Sequence, residues 1–359
     1  MLKKLLLPFL LVSFISANDD LNKKDIERMI SKMVVLGFKG ESINSNDEIY
    51  KNIESGLGGV ILFDKDPTSK KKIKNIKDPE QLKLLTSQLQ NISEEKLLIA
   101  IDQEGGIVQR MKKSNGFEDT LKAKTISTKD IAFARESYKN LATMLNSNGV
   151  NLNFAPVVDL AVNKNNKVIY KLGRSYGEDA KKVTQYASVF VEEQRKQNVI
   201  SVLKHFPGHG SSLADSHKGF VDITNTWSEK ELEPYKEFIK NKSIDMIMTA
   251  HVFNKNLDDK YPATLSYNVN TKLLRKELGF EGVLITDDLQ MYAISKHYDL
   301  RTTLKLAINS GVNMLLFANQ QAKEVSLKEI VDTVYSLILN EEVGLDKIID
   351  SNEKINMLL

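Results

Sequence analysis

Eight short apolar runs recur along this chain, separated by longer amphipathic or polar stretches. They lie at 33–38, 59–63, 97–102, 152–159, 199–206, 246–251, 282–288 and 313–319. Each is a handful of Val, Ile and Leu residues without strict alternation, the pattern of strands buried on both faces of a helix-covered parallel sheet. Helical periodicity falls between them, at 79–92, 128–145, 179–194 and 228–239, and once more at 327–339. The segment at 228–239 opens with Ser228-Glu229-Lys230-Glu231, a capping box in which Ser228 and Glu231 would satisfy each other's backbone donors. Eight strand–helix alternations within 359 residues predict an α/β protein, a single (β/α)8 barrel. No run is followed by a glycine-rich phosphate-binding pattern, which argues against a doubly wound nucleotide-binding sheet. The lysine-rich stretch 65–78 reads as a solvated loop leading into a helix.

The ends of these runs carry the functional signal. Asp102 closes the third, Asp159 follows the fourth, and Lys204-His205 closes the fifth. His251 ends the sixth, Asp287-Asp288 the seventh and Asn319 the eighth. A core strand has no need of a charged last residue. In a barrel all these ends meet on the face that holds the active site, so a polar pocket around the barrel axis is expected. The densest segment is KHFPGHGSSLADSH at 204–217, which gathers three of the five histidines into one loop.

Charge and cysteine count narrow the function. Fifty basic and 47 acidic residues leave a net charge of +3, too balanced for a nucleic-acid partner. With no cysteine, disulfides, thiolate metal sites, a Cys nucleophile and lipoprotein acylation are excluded. Lys3-Lys4, an apolar stretch at 5–15 and Ser16-Ala17 before a polar run have the order of a secretory signal peptide. The apolar stretch is short of the roughly 20 residues of a membrane span. The expected layout is a signal peptide at 1–17, removed to leave no stable membrane span, and one catalytic domain at 18–359, working in the periplasm or outside the cell.

Three constellations could do chemistry. Asp287 puts a carboxylate at the mouth of a hydrophobic strand, where Lys204, Arg110 or Arg174 could keep it ionised for attack on a sugar anomeric carbon; the bland alternative is that Asp287 or Asp288 caps the next helix. In Asp215-Ser216-His217 the carboxylate can orient the imidazole for proton transfer, unless both are simply hydrated. In Asp102-Gln103-Glu104-Gly105-Gly106, followed by Arg110, acidic groups and a guanidinium flank a double-glycine turn and suit hydrogen bonding to sugar hydroxyls. His205, His209 and His217 also admit a metal reading, opposed by the adjacent Lys204 cation. His251 reads equally as pocket wall or satisfied hydrogen-bonder, and His297 as a surface residue.

Taken together these residues resemble a family. ILF (61–63), DQEGGIVQR (102–110), NFAPVVD (153–159), GRSYGED (173–179), KHFPGHG (204–210), DSH (215–217), MTAH (248–251), PATLS (262–266) and TDDLQM (286–291) occur in the order found in glycoside hydrolase family 3 β-N-acetylglucosaminidases. The resemblance implies Asp287 as nucleophile and His217, oriented by Asp215, as acid/base. It implies that Asp102, Arg110, Arg174, Lys204 and His205 hold the hydroxyls of a terminal N-acetylglucosamine, with no metal or organic cofactor. The family's larger β-glucosidases share the Lys-His step but draw a glutamate from a second domain, for which this chain has no room. Gly173 stands where many relatives carry asparagine. The implied activity is a retaining exo-β-N-acetylglucosaminidase acting on peptidoglycan fragments or other N-acetylglucosamine-terminated glycans. The alternatives are a metal-dependent barrel hydrolase using His205, His209 and Asp287, and a non-catalytic exported glycan-binding barrel.

Overall fold

The computed structural model describes residues 21–67, 73–215, 219–321 and 323–359. Eight strands run in chain order: β1 (Val34–Gly37), β2 (Gly59–Ile61), β3 (Leu98–Ile101), β4 (Leu152–Asn153), β5 (Ile200–Phe206), β6 (Met246–Thr249), β7 (Val283–Ile285) and β8 (Leu315–Phe317). All pairings are parallel, in the order β7-β6-β5-β4-β3-β2-β1-β8. A parallel bridge between Ile285 and Met314 joins the two edges, supported by Asn313 N–H donating to Leu284 O at 2.8 Å. The sheet therefore closes on itself, and the expected (β/α)8 barrel is the fold. Closure removes both sheet edges and places every strand's C-terminal end on one mouth.

Except at β5, which continues to Phe206, the strands end before the apolar runs do, because the last residues of those runs leave the ladder to build the mouth. β4 is the extreme case. Its run was expected at 152–159, but pairing stops at Asn153 and resumes only at Val157, which bridges to Lys204. Pro156 lies between them and has no N–H to give a ladder.

Helices cover the barrel, and their boundaries follow side-chain caps. Asp78 accepts from Gln81 N–H to start Pro79–Ile92, whose Leu82, Leu85 and Leu89 are buried on the core-facing side. Asp130, Asp179 and Ser326 likewise cap Ile131–Ser147, Ala180–Lys196 and Leu327–Leu339. Each such cap stabilises by about 1 kcal/mol, and each buried Leu or Ile by about 1.5–3 kcal/mol, so packing sets the helices and caps trim their ends. Among the described residues no helix is long and apolar enough to cross a membrane. The expected signal segment at 1–17 lies outside the described residues.

Two local expectations are corrected. Ser228 makes no cap bond: a 3₁₀ turn at Glu229–Leu232 leads into the helix Glu233–Lys240, which carries Pro234 in its first turn. The capping box fails because the Glu231 side chain is committed elsewhere, accepting Gly210 N–H at 2.8 Å. The stretch 65–78 is not uniformly solvated either. Lys74 is fully buried, its Nζ donating to Asn319 O at 2.7 Å and Ala318 O at 3.1 Å and lying 5.0 Å from the Phe63 ring centre. Burial lowers the Lys74 ammonium to about 8, and those carbonyls and the ring are what it gains in return.

Candidate active site

β3 ends at Ile101, and the chain turns sharply so that Asp102 and Arg110 come back together, Arg110 Nη2 to Asp102 Oδ2 at 3.2 Å. Gln103 ties this turn down. Its side-chain oxygen accepts from Arg110 N–H (2.9 Å) and Met111 N–H (3.0 Å), while its amide donates to Met111 O and Thr120 Oγ1. Its backbone is matched to the Asn153 side chain on β4 by two further bonds, of 3.0 and 3.1 Å. The double glycine is a steric necessity. Gly105 and Gly106 have φ of +96° and +67°, and side chains there would lie 2.3 Å from Leu121 O and 2.5 Å from Lys122 Cβ.

β5 continues to Phe206 and delivers Lys204 into the same cluster. Its Nζ sits 2.8 Å from Asp102 Oδ1 and 2.7 Å from Glu104 Oε1. Arg174, on the long loop after β4, closes a bidentate pair on Glu104, both bonds 2.7 Å. Burial alone would push Asp102 and Glu104 up. The charges of Lys204 and Arg110 outweigh it at Asp102, and those of Arg174 and Lys204 at Glu104, so both carboxyls stay ionised below their ordinary values. Burial likewise opposes the Lys204 charge, and the carboxylates of Asp102 and Glu104 outweigh it and raise its pKa. Arg110 also lies over the Phe63 ring at 5.1 Å.

A third acid, Asp159, is buried behind His205. Its Oδ2 meets His205 Nδ1 at 2.6 Å, and its Oδ1 accepts the backbone N–H of both His205 (3.2 Å) and His209 (2.8 Å). With Nδ1–H donating to Asp159, His205 turns Nε2 toward Arg174 Nη2, 3.5 Å away. His209 has a different use. Its Nδ1 is 2.6 Å from Ser212 Oγ, and burial, with the nearby His205 and Arg174 charges, lowers its imidazole to about 4. The metal reading thus meets imidazoles whose Nδ1 atoms are already engaged. Among the described residues no group of three His, Asp or Glu side chains is placed to hold a metal ion.

At the end of β7 the structure separates two adjacent acids. Asp288 is buried, and its Oδ1 accepts from Ala318 N–H and Gln290 N–H, both at 3.1 Å, stitching the β7 and β8 ends together. Asp287 is only partly buried, with Oδ1 2.8 Å from the Asp288 amide. Of the pair, Asp288 is the one bonded to the backbone of the β8 end, and Asp287 is the more exposed. His251 is the satisfied hydrogen-bonder, with Nε2 2.8 Å from Asp288 O and Nδ1 2.7 Å from Thr264 Oγ1. His297 is exposed. Asp215 is partly buried, and His217 lies outside the described residues.

The structure therefore brings Asp102, Arg110, Arg174, Lys204 and His205 into one cluster. It adds two members to which the sequence reading gave no role of their own, Glu104 and Asp159. Both stood in quoted motifs. Nothing in the sequence said that Glu104 would be the hub for Arg174 and Lys204, or that Asp159 would turn His205. Cations locked by carboxylates, with an imidazole oriented by another, form a rigid polar surface suited to the fixed hydroxyl pattern of one sugar ring.

Residues 25–356 match the family model described as the glycosyl hydrolase family 3 N-terminal domain. The chain is 36% identical over 282 residues to a β-hexosaminidase of Tolumonas auensis, covering 76% of this chain and 78% of that protein. It is 33% identical over 315 residues to β-hexosaminidase A of Pseudoalteromonas piscicida, covering 80% of this chain but only 51% of the relative. The structure of a glycoside hydrolase family 3 β-N-acetylglucosaminidase from Paenibacillus superposes with a TM-score of 0.82 at 31% identity, over 92% of this chain and 61% of that one. The chain thus spans between half and about four fifths of the length of these relatives. A closed parallel barrel with this charged mouth, matched along nearly its whole length, places the chain in glycosyl hydrolase family 3.

Proposed function

We propose that this protein is a retaining exo-β-N-acetylglucosaminidase that removes terminal N-acetylglucosamine from peptidoglycan fragments or related glycans. The observation that carries the reading is the interlocked cluster of Asp102, Glu104, Arg110, Arg174, Lys204 and His205 at the barrel mouth, on the same face as the partly buried Asp287. Its relatives named as β-hexosaminidases and a β-N-acetylglucosaminidase support the sugar.

In this mechanism the cluster holds the hydroxyls of the non-reducing sugar and aligns C1 with Asp287. The Asp287 carboxylate bonds to C1 as the C1–O bond breaks, and the departing oxygen takes a proton from the His217 imidazolium, held in orientation by Asp215. Water then attacks C1 from the vacated face, His217 accepts its proton, and the Asp287 ester is released with configuration retained. The chain's own residues supply every step, without metal or organic cofactor.

The N-terminal pattern supports export, which would bring the enzyme to cell-wall glycans outside the inner membrane. Two measurements test the proposal. Purified protein assayed side by side on muropeptides, chitobiose and an aryl N-acetylglucosaminide should release N-acetylglucosamine from all three; sugar binding without turnover would leave a glycan-binding barrel instead. N-terminal sequencing after cell fractionation should find periplasmic or secreted protein beginning near Asn18, and full-length protein confined to the cytoplasm would refute export.

A further inference from the structure

We propose that Glu231 is a positioning residue for proton transfer: it clamps the stem of the loop that carries Asp215 and His217, and through that stem governs how well the leaving group is protonated. The inference rests on the reading of His217 as acid/base.

The stem is 207–212, and at its two glycines it is threaded through a slot with no room for a side chain. At Gly208, where φ is +124°, a Cβ would stand 2.6 Å from Glu231 Cβ; at Gly210 one would stand 1.8 Å from Leu160 O. The backbone therefore passes with Glu231 on one side and Leu160 on the other. On the Leu160 side the anchors come from the loop after β4. Asp159 accepts His209 N–H, Asn166 Nδ2 donates to His209 O (2.8 Å) and Gly210 O (3.1 Å), and Asn163 Nδ2 donates to Ser211 O and Ser212 O. On the other side Glu231 Oε2 accepts Gly210 N–H at 2.8 Å, and Trp227 Nε1–H donates to Pro207 O at 3.0 Å. Asp215 follows the stem by three residues.

Local energetics oppose this use of Glu231, which is why it signals a role. Glu231 is 1% exposed, and its diversion to Gly210 leaves Ser228 without its reciprocal cap partner. A buried carboxyl is costly where an apolar residue would pack freely. The groups facing it are the Gly210 and Ser211 donors, Asp159 across the stem, and Tyr235 on the helix that follows its turn. Burial is the main influence and raises the carboxyl to about 7, with Asp159 adding to the rise and the Ser211 and Gly210 donors offsetting it only in part. A sparingly charged acceptor at this point holds an amide of the very loop that must place an imidazole.

The test compares Glu231→Ala, Glu231→Gln and His217→Ala in the full chain, using kcat/KM on chitobiose, whose leaving alkoxide needs a proton, and on the dinitrophenyl glycoside, whose leaving group does not. Glu231→Ala should lose at least tenfold more activity on chitobiose than on the dinitrophenyl glycoside. Glu231→Gln should recover most of that difference, because an amide oxygen still accepts from Gly210. Equal losses on both substrates in Glu231→Ala, or no recovery in Glu231→Gln, would overturn the assignment. If the alanine variant fails to fold, Glu231→Asp, which withdraws the carboxylate by one methylene, must show the same skew. His217→Ala separates the two claims. If it shows no skew, the acid/base reading itself falls; if it shows the skew and Glu231→Ala does not, only the role of Glu231 falls.

Discussion

Arg174 and Glu104 face each other through two hydrogen bonds of 2.7 Å, Nε to Oε2 and Nη2 to Oε1, while Oε1 also takes Lys204 Nζ at 2.7 Å. One carboxylate therefore balances two cations, one from the loop after β4 and one from β5, and its removal leaves both with excess buried charge. Glu104→Gln should cost about 3–5 kcal/mol of stability, the range for breaking a buried pair. It should also raise KM more than it lowers kcat, since the proposed function assigns its partners to the sugar hydroxyls. Thermal unfolding and steady-state kinetics on the same preparation check both.

Asp287 has a sharper expected signature. Asp287→Ala should lose turnover while retaining N-acetylglucosamine binding, because a nucleophile contributes mainly in the transition state. Peptide mapping after reaction with a slow 5-fluoro sugar should place the covalent adduct on Asp287. An adduct on Asp288 would contradict its assignment as the stitch between β7 and β8.

Asp215→Asn should reproduce a His217 deletion in milder form. An asparagine keeps the shape but withdraws the charge that stabilises the imidazolium. Activity on a disaccharide should therefore fall well below that on a dinitrophenyl glycoside, within the roughly 10²–10⁴-fold that general acid catalysis supplies. A parallel loss on both substrates, accompanied by a lower Tm, would make Asp215 a structural residue.

Two buried groups titrate in opposite senses. Glu231 is raised to about 7, so between the ordinary carboxylate range and pH 7 the folded state holds a proton that the unfolded chain releases; its contribution to stability falls as pH rises. His209 is lowered to about 4, so the unfolded chain takes up a proton first on acidification, and its contribution falls as pH drops from 6.5 toward 4. Over the shared interval the two slopes oppose. Glu231→Gln should remove one and leave stability rising more steeply between pH 4.5 and 6.5, as measured by denaturant unfolding across that range. An unchanged slope would mean that Glu231 does not titrate there.

The barrel was legible because burial on both faces makes each strand a continuous apolar run, and eight such runs spaced by helical segments admit few closures. The candidate site residues stood out for a related reason: Asp102, Lys204, His205 and Asp287 interrupt those runs at their ends, where hydrophobic packing does not call for charge. Local order alone located them. It did not settle their partners: Lys204 was one candidate neighbour of Asp287, and the contact the fold makes joins it to Asp102, 102 residues away.

Tertiary structure decided the rest wherever a local preference lost to a distant one. Ser228 and Glu231 have the spacing of a capping box, yet Glu231 bonds Gly210, because the loop passing beside it offers an unsatisfied amide that the helix end can do without. Lys74 reads as one more solvated lysine in a basic stretch, yet it is buried beneath the carbonyls of Ala318 and Asn319, which barrel closure brings to it. Asp287 and Asp288 are equivalent as neighbours in sequence; the two amides offered to Asp288 by the β8 end and its own turn bury that one, while Asp287 stays partly exposed. Composition and periodicity specify which residues are buried and in what order the elements come. Which polar group meets which is settled only when the closed barrel brings distant loops within hydrogen-bonding reach.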